Sequence, residues 1–410
     1  MSTEEKRSLL PQLRFPEFLS AGTWCADGLG VVADFVNEKI ALERIALENY
    51  VSTENILADF DGIDNASKLP TTGSVTRFQS NDTLVSNIRP YLKKIWVADK
   101  EGGASNDVLV IRAKQRLLPQ YLSSLLKNDA FIGYVMTGAK GLKMPRGDIG
   151  AIKAYPALYP SKPEQQKIAD CLSSLDELIA AQGRKVTALK THKQGLMQQL
   201  FPREGETQPR LRFPEFRDTG EWEIRELSEF IIERNEYPTD KVPLFSLTIE
   251  DGVTPKTERY ERSFLVNDEA DAYKLVLPND FAFNPMNLRF GAIGRHSGTE
   301  KVAVSRYYNI FSCDETVDSN FCETYFRSER MIAFYDQRAI GSLIEKRRVH
   351  FSAFLKFNIR FPRLPEQQRI ADCLSSLDAL IAASTQELDS LKTHKQGLMQ
   401  QLFPSAEVDA

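Results

Sequence analysis

A 40-residue segment occurs twice in this 410-residue chain, and the repetition constrains the fold more than any other feature. Residues 163–202 read PEQQKIADCLSSLDELIAAQGRKVTALKTHKQGLMQQLFP, and residues 365–404 read PEQQRIADCLSSLDALIAASTQELDSLKTHKQGLMQQLFP, with 31 of 40 positions identical. A shorter repeat, QLRFPEF at 12–18 and RLRFPEF at 210–216, stands ahead of each intervening block. The blocks themselves, about 17–162 and 217–364, share little. Self-similarity of this kind means one structural unit used twice. The order is frame, variable block, helix, and then the same again.

The repeated segment has the pattern of a long helix. Ile168, Leu172, Leu175, Leu178, Ile179, Val186, Leu189, Leu196 and Leu200 recur at spacings of three, four and seven, as do Ile370, Leu374, Leu377, Leu380, Ile381, Leu388, Leu391, Leu398 and Leu402. Pro163 with Glu164 suits a first turn, and Pro202 stops the run. The seam meets Gln182 and Ser384 in mid-helix, where the heptad phase is expected to slip. A helix of roughly 38 residues makes a rod of about 57 Å.

One apolar stripe needs a mate, and the other copy supplies it. Ile168, Leu172, Leu175, Ile179, Leu189 and Leu196 are expected to pack with Ile370, Leu374, Leu377, Ile381, Leu391 and Leu398, or to meet a partner subunit. The first helix carries the chain from one block to the other, and the second, paired with it, carries it back. The pair is therefore antiparallel. The expected fold class is α/β (α+β): two globular domains separated by two long antiparallel helices in a coiled coil, a pseudo-two-fold circular repeat. The expected boundaries are 1–162, 163–202, 203–364 and 365–404, with a disordered tail at 405–410.

Homodimeric DNA readers match their two-fold symmetry to palindromic sites. A single chain with a symmetric frame and two different blocks suits a bipartite, non-palindromic site instead. The L-R-F-P-E-F…W openings, the P-x-x-E-Q-Q-x-I-A-x-x-L helix starts and the G-L-M-Q-Q-L-F-P helix ends resemble the specificity subunits of type I restriction-modification enzymes over nearly the whole chain. The resemblance implies two target-recognition domains, helices that set their spacing, and no catalytic residue in this chain. It implies double-stranded DNA, two methyltransferase (modification) subunits and restriction/translocase subunits as partners. S-adenosylmethionine, ATP and Mg are then expected in those partners, with no cofactor or metal bound here. A self-contained DNA-binding regulator with a coiled-coil spacer is the alternative reading.

Both blocks carry candidate readers. In the first, TLVSNI and NDVLVIRAK read as strands and PQYLSSLLKNDAFIGYVM as one helix. Asn87, Arg89, Tyr91, Lys93 and Lys94 form its most DNA-like stretch, since Asn and Arg pair bidentately with adenine and guanine edges. Lys140, Lys143 and Arg146 lie in a small-residue loop suited to a phosphate backbone, and Arg77 is a further candidate. The second block aligns with a shift of 198 residues near Asp82 and Asp280, so Asn284–Arg289 falls opposite Ser86–Tyr91. Its candidates are Asn287, Arg289, Arg295, His296, Arg306, Tyr307 (equally a core candidate), Lys346, Arg347 and Arg348.

Other patterns lead away from enzyme chemistry. Gly28-Leu29-Gly30-Val31-Val32-Ala33 fits a relaxed dinucleotide fingerprint, but the repeat puts Glu226 and Ser228 at the glycine positions, and a carboxylate there repels phosphate. Asp268-Glu269-Ala270-Asp271 spells a helicase box with no phosphate-binding loop to accompany it. Asn284-Pro285-Met286 lacks the second proline and aromatic of an amino-methyltransferase motif. His192 and His394 are repeat copies and read as helix surface or subunit contact; Cys171 and Cys373 read as small buried residues. Five scattered cysteines without a C-x-x-C pattern suggest neither disulfides nor zinc. With no apolar run of membrane length and no signal-like start, the expected compartment is the cytoplasm. The net charge of −4 is unusual for a DNA binder and calls for partners that share the phosphate contact.

Overall fold

The computed structural model describes residues 10–141, 143–239, 241–256, 272–342 and 347–404. The chain divides into two compact units: Met1–Arg184 with Thr385–Ala410, and Lys185–Ser384. The expectation from sequence made the helices bodies of their own; instead each unit takes half of both. The cause is packing. Ile168, Leu172, Met399, Leu402 and Phe403 belong to the core of the first unit, and Leu200, Phe201, Ile370, Ala371 and Leu374 to that of the second. The tail expected at 405–410 lies outside the described residues.

Both repeat copies are single helices of 39 residues, Lys162–Leu200 and Leu364–Leu402. In the first unit Lys395 Nζ lies 2.5 Å from Asp176, and Gln182 donates to Glu387 at 2.7 Å. Residue numbers rise along one helix as they fall along the other, so the strands of the pair run antiparallel there. The repeat-equivalent pair in the second unit is Lys193–Asp378, at 2.6 Å. Buried positions include Ile168, Leu172 and Val186 on one helix and Ile370, Leu374 and Ser384 on the other; Leu175, Ile179, Leu189, Leu196, Leu377, Ile381, Leu391 and Leu398 are half-buried. Leu178 and Leu380, expected on the stripe, are exposed instead, because each lies about 100° around the helix from the half-buried isoleucine that follows it. Cys171 and Cys373 are half-buried rather than buried for the same reason, one step from Leu172 and Leu374. His192 and His394 are exposed.

The short motifs of the frame bind one another. In the first unit Arg14 grips Glu164 with two hydrogen bonds of 2.7 and 2.8 Å; in the second Arg212 grips Glu366 with two of 2.7 Å. Each glutamine after that glutamate ties the helix start to the block. Gln165 accepts from Leu118 N and donates to Arg116 O and Pro160 O, and Gln367 accepts from Asp318 N and donates to Pro362 O. Leu13 N donates to Gln401 O, as Leu211 N donates to Gln199 O, both at 3.0 Å. The first LRFPEF segment thus docks on the end of the C-terminal helix as the second docks on the end of the first helix. The repeat is circular without a covalent join.

Each unit hangs an antiparallel four-stranded sheet on this frame. The strand order is Ala33–Phe35, Val108–Ala113, Thr83–Ser86, Ile95–Val97 in the first unit. In the second it is Ile231–Arg234, Asn309–Cys313, Phe281–Phe283, Ile293–Arg295. A two-stranded ladder leads into each long helix, Cys25–Gly28 with Pro156–Tyr159 and Glu223–Glu226 with Asn358–Phe361. The first unit adds a second four-stranded sheet. Equal backbones carry unequal cores: Thr83 faces Ile111 across its strand pair, whereas Phe281 stacks on Phe311 with centroids 5.0 Å apart.

The single helix expected over PQYLSSLLKNDAFIGYVM is two, Pro119–Leu126 and Asp129–Thr137. Asn128 breaks it by capping the second helix through Ala130 N while its amide donates to Met399 O. Gly28 ends a strand and leads into a one-turn helix, Leu29–Val32, packed beside Lys153. The helicase-like box at 268–271 lies outside the described residues.

Candidate nucleic-acid interface

In the first unit the chain leaves strand Thr83–Ser86 and makes a one-turn 3-10 helix, Pro90–Leu92. Arg89 before it and Lys93 after it are both left-handed, with φ of 51° and 53°. A hairpin follows much later in sequence: Lys140 and Arg146 exchange two backbone hydrogen bonds of 2.9 Å. Arg89 N donates to Pro145 O at 2.8 Å and Gly147 N to Asn87 O at 3.2 Å, so the two stretches chosen from sequence form one surface. A Cβ on Gly147 would stand 2.7 Å from Asn87 Oδ1, and glycine permits that approach.

The second unit repeats this construction. Strand Phe281–Phe283 leads to the 3-10 turn Leu288–Phe290, preceded by Asn287 and followed by left-handed Gly291, φ 94°. Ile340 and Arg348 exchange backbone bonds of 3.0 and 2.9 Å, and Val349 N donates to Pro285 O at 3.0 Å. By these bonds Arg348 occupies the place of Arg146, and Asn287 the place of Arg89.

The candidate side chains divide into those turned outward and those already engaged. Arg89, Tyr91 and Lys143 are exposed, and among the described residues Arg89 and Lys143 make no ion pair. Arg146 is exposed but shares a 2.6 Å contact with Asp107. Lys140 pairs with Asp148 at 2.8 Å; the pair raises the lysine's pKa and lowers that of the carboxyl. Lys93 pairs with Asp129 at 2.7 Å, and Lys94 donates to Thr53 O at 2.7 Å. Arg77 lies between Glu38 and Glu101, at 3.2 and 3.4 Å, and these bonds raise its pKa. Asn87 turns inward: its side-chain oxygen is buried without a hydrogen-bond partner among the described residues.

In the second unit Asn287, Arg306 and Arg348 are exposed, and Tyr307, for which the sequence left a reading role and a core place equally open, is 76% exposed. Arg306 lies 5.7 Å from the Tyr307 ring. Four other candidates are bound into the fold. Arg289 reaches Asp336 at 3.2 Å with its guanidinium 4.2 Å from the Phe290 ring. Arg347 donates to Ala339 O at 3.1 Å and to the Asp336 carbonyl. Arg295 is held by Glu323, Asn279 and Asn320 at 3.1, 2.5 and 2.6 Å. His296 is 2% exposed, with a ring nitrogen 2.7 Å from Glu300 O. Lys346 lies outside the described residues.

Sequence reasoning missed Asp107 and Asp336, the carboxylates that restrain Arg146 and Arg289. Neither sits in a motif.

An α/β unit with an exposed turn and hairpin, built twice on one helical frame, defines a two-module repeat protein. The type I restriction modification DNA specificity domain matches residues 319–393, which run from the second unit into its long helix. The type I restriction enzyme MjaVIII specificity subunit of Methanocaldococcus jannaschii is 24% identical over 325 residues, 74% of each chain. Two solved structures share the fold. The type I restriction-modification S subunit from M. genitalium has a TM-score of 0.58 at 13% identity, covering 96% of this chain and 99% of that one. A chain solved in work on complex assembly and conformational transition of the type I R-M system has a TM-score of 0.57 at 17% identity, covering 93% and 97%. In sequence over part of its length, and in fold over nearly all of it, the chain is similar to type I restriction-modification specificity subunits, the family its motifs resemble.

Proposed function

We propose that each unit reads one half of a bipartite, non-palindromic DNA target, that the paired helices set the gap between the halves, and that the frame docks two methyltransferase subunits. One observation carries this reading: two equivalent backbone constructions, each an exposed turn bonded to a hairpin, present different side chains from one repeated frame. The chain acts without catalysis of its own, and S-adenosylmethionine, ATP and magnesium belong to methyltransferase and restriction partners. Among the described residues no helix is long and apolar enough to cross a membrane.

A self-contained DNA-binding regulator is the weaker reading. Four candidate cations of the first unit, Arg77, Lys93, Lys140 and Arg146, and three of the second, Arg289, Arg295 and Arg347, are paired with carboxylates, and the net charge is −4. Such a surface supplies little of the phosphate attraction an autonomous binder needs. The test is reconstitution. The chain alone should neither methylate nor cleave; with its cognate methyltransferase, S-adenosylmethionine and a DNA library it should direct methylation to one bipartite sequence. Methylation of a single contiguous palindrome would count against the two-reader scheme.

A further inference from the structure

We propose that the residue opening the exposed 3-10 turn, Arg89 in the first unit and Asn287 in the second, is a specificity-determining position. Arg89 selects guanine in one half-site and Asn287 adenine in the other. The inference rests on the reading above, in which each unit faces one half-site.

The two residues hold equivalent positions at the start of the turn, although Arg89 N donates to Pro145 O of the hairpin and Asn287 N back to Asn284 O. Each follows the strand that pairs with the outermost strand of its sheet, precedes a one-turn 3-10 helix, and makes no side-chain capping bond to that turn. Each turn closes on a left-handed residue, Lys93 or Gly291. Each is pinned beside the hairpin by a backbone bond from the residue after the hairpin arginine, Gly147 to Asn87 and Val349 to Pro285. Both side chains point out of the fold and are exposed. Their chemistry differs where a difference is needed. Arginine donates two parallel hydrogen bonds to guanine O6 and N7, whereas an asparagine amide gives and takes one each at adenine N6 and N7.

The hairpin supplies the contrast. Arg146 and Arg348 are equivalent in position and identical in kind. A residue common to both readers carries no information about how the half-sites differ, so this pair suits phosphate contact. Three further cations of the second reader, Arg289, Arg295 and Arg347, are held by their own carboxylate, amide and carbonyl partners, while Arg306 stays exposed beside the Tyr307 ring. Arg89 also sits at φ 51°, a conformation that side chains other than asparagine, aspartate and glycine seldom adopt. Backbone strain kept at an exposed position fits a binding role.

The experiment exchanges the two residues. Arg89→Asn and Asn287→Arg are assembled separately with the cognate methyltransferase, and methylation is mapped over a library randomised in both half-sites. Arg89→Asn should convert one guanine preference to adenine in one half-site, shifting relative methylation of the two bases by about 5- to 150-fold. Asn287→Arg should make the reverse change in the other half-site. Asparagine tolerates the left-handed backbone at 89, and Asn287 has an ordinary φ of −109°, so both variants should unfold at the wild-type temperature. Arg146→Ala and Arg348→Ala should lower methylation of all sequences alike and reduce the salt dependence of binding by about one unit. Unchanged base preferences in both exchange variants, with the wild type still methylating a bipartite site, would overturn this assignment alone. A wild type that methylates no bipartite site would instead overturn the functional reading beneath it.

Discussion

Arg212 and Glu366 are joined by two 2.7 Å hydrogen bonds across 154 residues of chain, and both side chains are almost wholly buried. The guanidinium also donates to Gly220 O and Thr219 Oγ1, and Trp222 Nε1 lies 3.3 Å from the same carboxylate. Arg14 and Glu164 rebuild the ion pair in the first unit, where the guanidinium donates to Ala21 O and Gly22 O and no bond from Trp24 joins it. These bonds explain why L-R-F-P-E-F and P-E-Q-Q appear together, twice. One supplies the cation and the other the anion of a buried joint between the start of a block and the start of its helix.

Removing one partner of such a joint leaves a buried charge unpaired, which costs about 3–5 kcal/mol. Arg212→Ala and Glu366→Ala should each lower the free energy of urea unfolding by that amount. The double change Arg212→Met with Glu366→Leu should cost less than either single one, because no charge is then stranded. A loss under about 1 kcal/mol in the single variants would show that the joint is solvated and weak.

The lysine–aspartate pairs of the helices should behave differently. Asp378 is more than half exposed where it meets Lys193, and exposed pairs contribute about 0–1 kcal/mol. Lys193→Ala should move the urea midpoint little, and Lys193→Asp only slightly more. A large destabilisation would mean that the pair locks the helix register rather than decorating it.

The frame was legible because its determinants are local. Leucine and isoleucine spacing over Lys162–Leu200 specifies a helix whatever surrounds it, and identity with a second segment at 31 of 40 positions supplies its mate. The failures share one cause. Whether Arg295 faces solvent depends on Asn279, Asn320 and Glu323, which are distant in sequence and gather only on folding. Arg289 and Arg89 look alike in a list of cations. Asp336, 47 residues further along the chain, makes one of them structural. Asn128 hid a helix break inside an apolar run, because its capping bond competes with a pattern that otherwise reads as continuous.

Arg295 and His296 therefore predict a phenotype of the fold rather than of recognition. Arg295→Met strands Glu323 and removes bonds to two asparagines, at an expected cost of about 1–3 kcal/mol. Thermal unfolding should reveal that loss, while methylation mapped with the cognate methyltransferase at low temperature keeps its wild-type base preferences. A changed preference at one base with unchanged stability would return Arg295 to the reading surface.

The helices give the last prediction, on the spacing of the target. Seven residues inserted after Arg184 and seven after Gln386 fall at matching positions of the repeat, next to Gln182 and Glu387, which already face each other. A whole heptad returns the apolar stripe to nearly the same side, so the pairing should survive. Each helix lengthens by about 10 Å, close to three base pairs of duplex. Reconstituted with the methyltransferase, the lengthened chain should methylate the same two half-sites with a longer unread gap. Three base pairs also turn one half-site by about 100° around the duplex, so activity should fall even where the preferred gap is supplied. Insertion of seven residues into one helix alone should break the pairing and abolish specific methylation. An unchanged gap at full activity in the doubly lengthened chain would show that the helices do not measure the distance.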